Sequence, residues 1–327
     1  MMKLSRQQAI ASVFSAALFG PAVLASAAQI STNARYGMVV QSKGKVTRID
    51  KAGNILWQYD CAYNSHDIRL LPNGNVLVTT QPSVIEEITP EKKVVWSWKG
   101  KAVAPHDGPI EIHSFERLEN GNTIISESGN KRIIEVDPKG TIVHSIALTV
   151  EKPDWHRDTR RVRRTDKGTF LVAHEGMGMV REYDKSGKVL WEHKLELGAE
   201  PATPGANGHG VSIFNVLSLK NGNVLIGGGN NNRVYEVDRS GKTVWSIERD
   251  ELKAPDGKAI HLCWITSLNV LRNGNMVFAT AFAGPDQPIF VEVNRKKEVV
   301  WAKYPDATIG DDVCAFWLTD IRGNVIR

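Results

Sequence analysis

Apolar and polar residues alternate along most of this chain in short runs, and clusters rich in glycine, asparagine and aspartate separate the runs. A period of two puts successive side chains on opposite faces of an extended strand, so the pattern predicts strand after strand. One pair of runs recurs. HDIRLLPNGN (66–75) aligns with HSFERLENGN (113–122), RRVRRTDKGT (160–169), FNVLSLKNGN (214–223), TSLNVLRNGN (266–275) and AFWLTDIRGN (315–324). The shared glycines, Gly74, Gly121, Gly168, Gly222, Gly274 and Gly323, lie 47 to 54 residues apart. Asn-Gly between two apolar runs predicts a two-residue hairpin turn with positive φ at both central positions. A repeat of this length made of short strands predicts the blades of a propeller.

A second marker keeps step with the first. VTRIDKAGNILW closes on Trp57, IEEITPEKKVVW on Trp96, VREYDKSGKVLW on Trp191, VYEVDRSGKTVW on Trp245 and VEVNRKKEVVW on Trp301. In IIEVDPKGTIVH the same register holds His144. Each reads as a strand, a polar turn and a strand ending on a large ring, which predicts rings packed between neighbouring blades. A full unit is then four strands, inner to outer. The first unit, from about Tyr36 to Asp60, lacks the inner strand, and CAFWLTDI near the other end supplies a lone one. Joining them leaves no open edge. The fold class is all-β: a six-bladed beta-propeller of four-stranded antiparallel blades, closed by the two termini in one shared blade. Seven blades is the alternative if residues 29–35 and the final NVIR hold further strands.

The first 28 residues break the pattern. Lys3 and Arg6 precede the apolar AIASVFSAALFGPAVL, and ASAAQ offers small residues for cleavage, the layout of a secretory signal peptide. The expected organisation is a signal peptide over 1–28 and a single propeller domain over 29–327, exported to the periplasm or secreted, with no transmembrane segment in the mature chain. Removing residues 1–28 takes away two cations and no anion, lowering the formal charge from +5 to +3. So small a surplus gives no reason to expect nucleic acid as a partner. Hydrophobic residues make up 42% of the chain and charged residues 24%, ample for a folded core. Cys61, Cys263 and Cys314 would enter an oxidising compartment, where one disulfide and one free thiol are expected.

The strand order sorts the remaining polar residues. His66 and His113 begin inner strands, His106, His156, His209 and His261 lie in or beside connections between blades, and His174 lies in the connection between the second and third strands of its blade. Seven of the nine histidines therefore share one face, together with the three cysteines and the longest loops. HRDTRRVRR adds Arg157, Arg160, Arg161, Arg163 and Arg164, and Arg160 falls in the same column as His66 and His113. Guanidinium groups suit carboxylate, sulfate or phosphate. Arg160 and Arg161 are the ligand candidates, with Arg163 and Arg164 deeper and expected to pair with acidic side chains. Asp67, His106, His156, Arg160, Arg161, His174, His209 and His261 form the candidate binding set, and His66 and His113 the candidate catalytic pair. A metal held by His66, His113, His209 and His261 is compatible with this layout, but no ligand spacing specifies it. There is no phosphate-binding glycine motif, His-Glu-x-x-His, CxxC or nucleophile elbow, and no cofactor is specified.

The Asp…Gly-x-x-x-Trp segments VTRIDKAGNILW and EYDKSGKVLW resemble the repeats of quinoprotein-like beta-propellers, and HDIRLLPNGNVLV is similar to segments of arylsulfotransferase-like propellers. The resemblance covers residues 36–327. In the second family a channel histidine carries a sulfuryl group, supported by histidines and arginine, and by motif His66 is the matching position. The chain is short for the extra amino-terminal domain of those enzymes, and six blades fall short of the eight usual in quinoprotein dehydrogenases. Other members are scaffolds or ligand binders. Two functions follow as expectations. One is a propeller binding a small anionic molecule or a protein partner on its His/Arg-rich face. The other is an enzyme at the same mouth, by sulfuryl transfer or by metal- or quinone-dependent redox or lyase chemistry.

Overall fold

The computed structural model describes residues 35–195, 213–228, 232–319 and 321, and within them every regular element is a β-strand. Six four-stranded antiparallel sheets form a ring, a six-bladed β-propeller. In blade 1 the inner strand Ala315–Leu318 lies beside Met38–Ser42, with Met38 opposite Leu318 and Gln41 opposite Ala315. The strands Lys45–Ile49 and Ile55–Asp60 follow outward. Both ends of the chain thus build one blade, as the missing inner strand of the first unit predicts. Blades 2 (68–99), 3 (111–147), 4 (161–194), 5 (213–247) and 6 (265–303) each run from inside to outside in chain order.

Burial follows position in the blade. Met38–Ser42 is buried throughout, whereas the outer strand Val94–Lys99 exposes most of its length and keeps Trp96 and Trp98 half-buried. Apolar side chains of adjacent sheets interdigitate between blades, as Leu77, Ile85, Phe115, Ile125 and Ile134 do between blades 2 and 3. Among the described residues no helix is long and apolar enough to cross a membrane.

The hairpins differ from the expected two-residue turn. In blade 2 the Leu71 amide donates to Asn75 O at 2.8 Å and the Gly74 amide to Leu71 O at 2.9 Å. Gly74 has φ +86° and Asn73 does not share it. This is a type I turn followed by one left-handed residue, which needs glycine only at that residue. Pro72 suits the first corner, and Asn73 Oδ1 accepts the Asn75 amide at 3.0 Å, so the asparagine acts as a side-chain clamp.

The repeated rings bond across the gap between blades. Trp57 Nε1 donates to Pro90 O at 3.0 Å, Trp191 Nε1 to Arg239 O at 3.0 Å and Trp245 Nε1 to Arg295 O at 3.1 Å. His144 Nε2 reaches Lys185 O at 2.9 Å, which explains how an imidazole replaces the indole. Beside them a second clasp recurs. Glu87 accepts Asn75 Nδ2 at 2.7 Å from its own blade and Arg117 Nη2 at 2.9 Å from the next, and Arg117 covers the Trp96 ring at 4.7 Å. Glu236 does the same with Asn223, Arg295 and Trp245. At the seam of the ring Glu292 accepts Tyr36 Oη at 2.7 Å and pairs with Arg35 at 3.0 Å, so the amino-terminal segment supplies the last clasp.

The cysteine expectation is corrected. Cys61, Cys263 and Cys314 are all buried thiols, and none forms a disulfide. Burial pushes the Cys61 thiol up to about 11 and that of Cys314 up to about 12, so both stay protonated and unreactive.

Candidate functional site

The column of the repeat that holds His66, His113 and Arg160 also holds Phe214, and the four side chains meet at the top of the channel. The His66 ring lies 5.0 Å from His113 and 5.4 Å from Phe214, and the Arg160 guanidinium covers Phe214 at 4.9 Å. His156 joins them from the connection before blade 4, its ring 5.5 Å from His113.

Hydrogen bonds fix the state of this polar wall. Arg160 Nε bonds Glu175, Nη2 bonds His156 Nε2 at 2.7 Å, and Nη1 lies 3.2 Å from both ring nitrogens of His113. Arginine can only donate, so His156 Nε2 is an acceptor and its proton sits on Nδ1, which donates to Glu111. His113 Nε2 faces Glu111 at 3.0 Å and His156 O at 3.0 Å, two acceptors that call for a proton there. Burial, then Arg160, brings His113 down to about 4 and keeps it neutral. Burial alone would raise Glu111, but the bonds from His113 and His156 outweigh it and bring the carboxyl down to about 2. His66 is held well below the histidine range, by burial first and by Arg160 next. Among the described residues the wall carries Glu111, Glu175 and Arg160 as charges, a net of one negative.

From Phe214 a run of aromatic rings continues the wall. Phe214 lies 5.3 Å from Trp264, and Trp264 lies 5.6 Å from Phe282. Trp264 and Phe282 are half-buried and adopt φ of +38° and +57°. A bulky side chain in the left-handed region costs roughly 1–3 kcal/mol, and such strain concentrates at functional sites. Local bonds hold it: the Trp264 amide donates to Asn232 Oδ1 at 3.1 Å, and the Phe282 amide to Asp311 O at 2.7 Å.

Below the mouth Asp67 ties three blades together. Arg161 Nη1 approaches Oδ1 at 3.0 Å, Arg163 bonds both oxygens at 2.8 and 3.1 Å, and Arg69 Nε stands 3.8 Å away. Ser114 Oγ and the Ile68 and Phe115 amides complete its coordination. Burial alone would raise Asp67, but Arg163, Arg161 and Arg69 outweigh it and hold the carboxyl well below its usual range. Arg161 also donates to Asn215 Oδ1 at 2.9 Å and to Thr266 O at 3.2 Å.

These contacts change the expected roles. Arg160 and Arg161, the guanidinium groups expected to meet an anion, are both buried and engaged by protein acceptors. Arg163 pairs internally, in line with its depth. His174 leaves the group: Nδ1 bonds Asp158 O at 2.8 Å and Nε2 bonds Tyr183 Oη at 2.9 Å, inside blade 4. His261 is exposed and paired with Asp250 at 2.6 Å. His106 bonds Pro109 O at 2.7 Å and lines a cleft of about 590 Å³ with Val103, Gly129, Asp154 and the exposed Trp155. His209 lies outside the described residues.

The four-histidine metal layout is not assembled, since His261 bonds Asp250; of its described members His66 and His113 meet at the mouth. Glu111, His113 and His156 do bring donor atoms within 4.8 Å of one another. They do not suit a cation, because Arg160 occupies His156 Nε2 and would oppose its charge. Glu111, Glu175, Trp264, Phe282 and Tyr63 were missed in the sequence. Tyr63 is half-buried near Glu111 and Arg160, and burial raises its phenol far enough to keep it protonated. Phe214 stood in the histidine column and could have been found there.

A family model described as outer membrane protein assembly factor BamB matches residues 42–262 and 93–315. No curated protein matches the chain. Among solved structures the chain is similar to a protein of unknown function from Bacteroides caccae, at 20% identity over 88% of this chain and 99% of that one, with a TM-score of 0.71. It is also similar to virginiamycin B lyase from Staphylococcus aureus, solved with quinupristin, at 13% identity over 90% and 94% of the two chains, with a TM-score of 0.54. At these identities the likeness is one of fold.

Proposed function

This chain belongs to the BamB-like family of quinoprotein-type propellers, and on that premise we propose that it is an exported binding propeller that holds a small ligand at the top mouth of its channel. The observation that carries this reading is the division of the mouth into a hydrogen-bonded imidazole–carboxylate wall and a wall of strained aromatic rings. A ligand that fits both offers a flat apolar part to Trp264 and Phe282 and hydrogen-bond donors or a positive group to Glu111. The net negative charge of the polar wall replaces the anion expected from the arginines with a donor-bearing ligand.

A fragment screen by ligand-observed NMR tests this. Aromatic amines should bind the wild type and lose binding in Glu111→Gln and in Trp264→Ala. Preferential binding of aromatic carboxylates, unaffected by either substitution, would refute the reading. Export predicts a mature chain starting near Gln29 in the periplasmic fraction, which mass spectrometry of the amino terminus checks. A chain that keeps residues 1–28 would argue against it.

One observation favours catalysis at the same place. The His66 ring makes no hydrogen bond among the described residues, its Nδ1 being buried without a partner. A neutral, unbonded imidazole is available as base or nucleophile. Sulfuryl transfer would also need a guanidinium free to meet the transferred group, and Glu175 already engages Arg160. Release of nitrophenolate from p-nitrophenyl sulfate in the presence of phenol, lost in His66→Ala, would establish transfer. No release by the wild type would remove it.

A further inference from the structure

The lower channel holds more cations than its one central carboxylate can satisfy. Arg69, Arg161 and Arg163 converge on Asp67, and Arg69 and Arg163 expose only 9% of their side chains. Arg161 spends its remaining donors on Asn215 and Thr266. Arg163 gives Nη1 to Ser114 Oγ at 3.0 Å and Val162 O at 2.9 Å as well, and the Arg69 side chain makes no hydrogen bond among the described residues. Arg69 Nε and Nη2 and Arg163 Nε are buried and bond no protein atom among the described residues. Arg69 has only the 3.8 Å approach to Asp67 and a stacking contact over the Trp317 ring at 5.0 Å. The nearest further carboxylate, Glu116, acts on Arg69 through space and makes no ion pair among the described residues. The local sum is three positive charges against Asp67, with Glu116 offsetting one more from a distance.

Buried guanidinium groups are normally bonded on every face, because a desolvated N–H without an acceptor is costly. Like charges side by side in low dielectric repel strongly unless an anion lies between them. We propose that Arg69 and Arg163 form a binding site for a small inorganic anion of the chloride-to-sulfate class, with Asp67 positioning both guanidinium groups. The site lies in the channel below the mouth and does not depend on the ligand proposed there. Asp67 takes the Nη1 and Nη2 donors of Arg163, and Arg69 Nε, which stands 3.8 Å from Asp67, Arg69 Nη2 and Arg163 Nε are the nitrogens left for the anion.

Thermal unfolding of the full chain in sodium chloride and in sodium sulfate, at constant ionic strength set with sodium gluconate, provides the test. The wild type should show a saturable rise in Tm, about 5 °C at a hundredfold excess over Kd. Arg69→Gln should abolish the rise, and Glu116→Gln should shift its midpoint to lower anion concentration. A rise that is equal in wild type and Arg69→Gln, or that never saturates, would overturn the proposal. Should Arg69→Gln fail to fold, crystals of the wild type in sodium bromide decide it. An anomalous peak between Arg69 and Arg163 supports the site, and its absence at high bromide removes it.

Discussion

The rim of the propeller and the mouth of its channel come from the same repeat and follow opposite rules. At the rim the same parts recur: Glu87, Glu236 and Glu292 each accept an asparagine amide from their own hairpin and a cationic or hydroxyl group from the next unit. At the mouth one column reads His66, His113, Arg160 and Phe214, four positions with three different side-chain chemistries. Repetition marks where every blade must solve the same packing problem, and variation marks where one blade is free of it. The channel between them shows that variation alone does not mean ligand contact, since Asp67 is as singular as His66 and is consumed by internal pairs.

The largest effect that separates these roles is expected at Asp67. Asp67→Asn leaves three buried guanidinium groups without their counter-charge and should cost about 3–5 kcal/mol in denaturant unfolding. Glu111→Gln, at the mouth, keeps an oxygen to accept one histidine and should cost less, about 1.5–3 kcal/mol, while removing ligand binding. Equal losses at the two positions would erase the distinction between a structural channel and a functional mouth.

Acid should expose the next largest difference. Burial, followed by Arg160, brings His113 to about 4, and burial followed by Arg181 among the opposing charges brings His174 to about 4. Both values lie below the ordinary 6.5, so the unfolded chain binds more protons and stability rises with pH. The contribution is complete above pH 6.5 and is lost as the pH falls to 4, on the order of 3 kcal/mol for each group. His66, held well below the histidine range, adds to the same slope, so His174→Gln, facing Tyr183, Arg181 and Glu151, should flatten about a third of the histidine slope in urea unfolding followed from pH 7 to pH 4. An unchanged slope would mean that His174 is not held neutral by its surroundings.

The fold was readable because the repeat is strict. Gly74, Gly121, Gly222 and Gly274 all have φ between +85° and +87°, and the ring closure followed from one missing strand. The turn type was misread because Asn73 has two uses, a left-handed corner or a side-chain clamp, and the dipeptide does not distinguish them. Pairing in the channel was less visible. Asp67 and Arg163 are 96 residues apart, and which of Arg160, Arg161 and Arg163 reaches it depends on strand phase to within one residue. Trp264 and Phe282 left no mark at all, because a left-handed backbone at an aromatic residue is imposed by distant partners such as Asn232 and Asp311.

A smaller effect tests whether the rim clasps are equivalent. Glu87→Gln and Glu236→Gln keep an amide-compatible shape but lose the charge facing Arg117 or Arg295, at about 1–2 kcal/mol each. The two costs should agree, since each carboxylate meets two amides and one guanidinium. A cost confined to one blade would show that the clasp repeats in geometry but not in energy.

The smallest effect is a gain, at the turn between the two outer strands. In each blade the ladder shifts register there, and one residue takes the left-handed conformation that the shift requires. Four blades use glycine, at Gly53, Gly140, Gly187 and Gly241, while Lys92 and Lys297 adopt φ of +64° and +66° in blades 2 and 6. A side chain in that region costs about 1–2 kcal/mol, and glycine forfeits roughly half of the relief through the greater freedom of the unfolded chain. Lys92→Gly should therefore stabilise the propeller by about 0.5–1 kcal/mol, because no hydrogen bond or ion pair of the Lys92 side chain is lost among the described residues. Lys297→Gly should gain less, since Lys297 Nζ pairs with Glu251 Oε1 at 2.5 Å. Denaturant midpoints of the two variants in parallel give the answer. A loss of stability in Lys92→Gly would mean that the rim tolerates exchange between blades less freely than its repeated geometry implies.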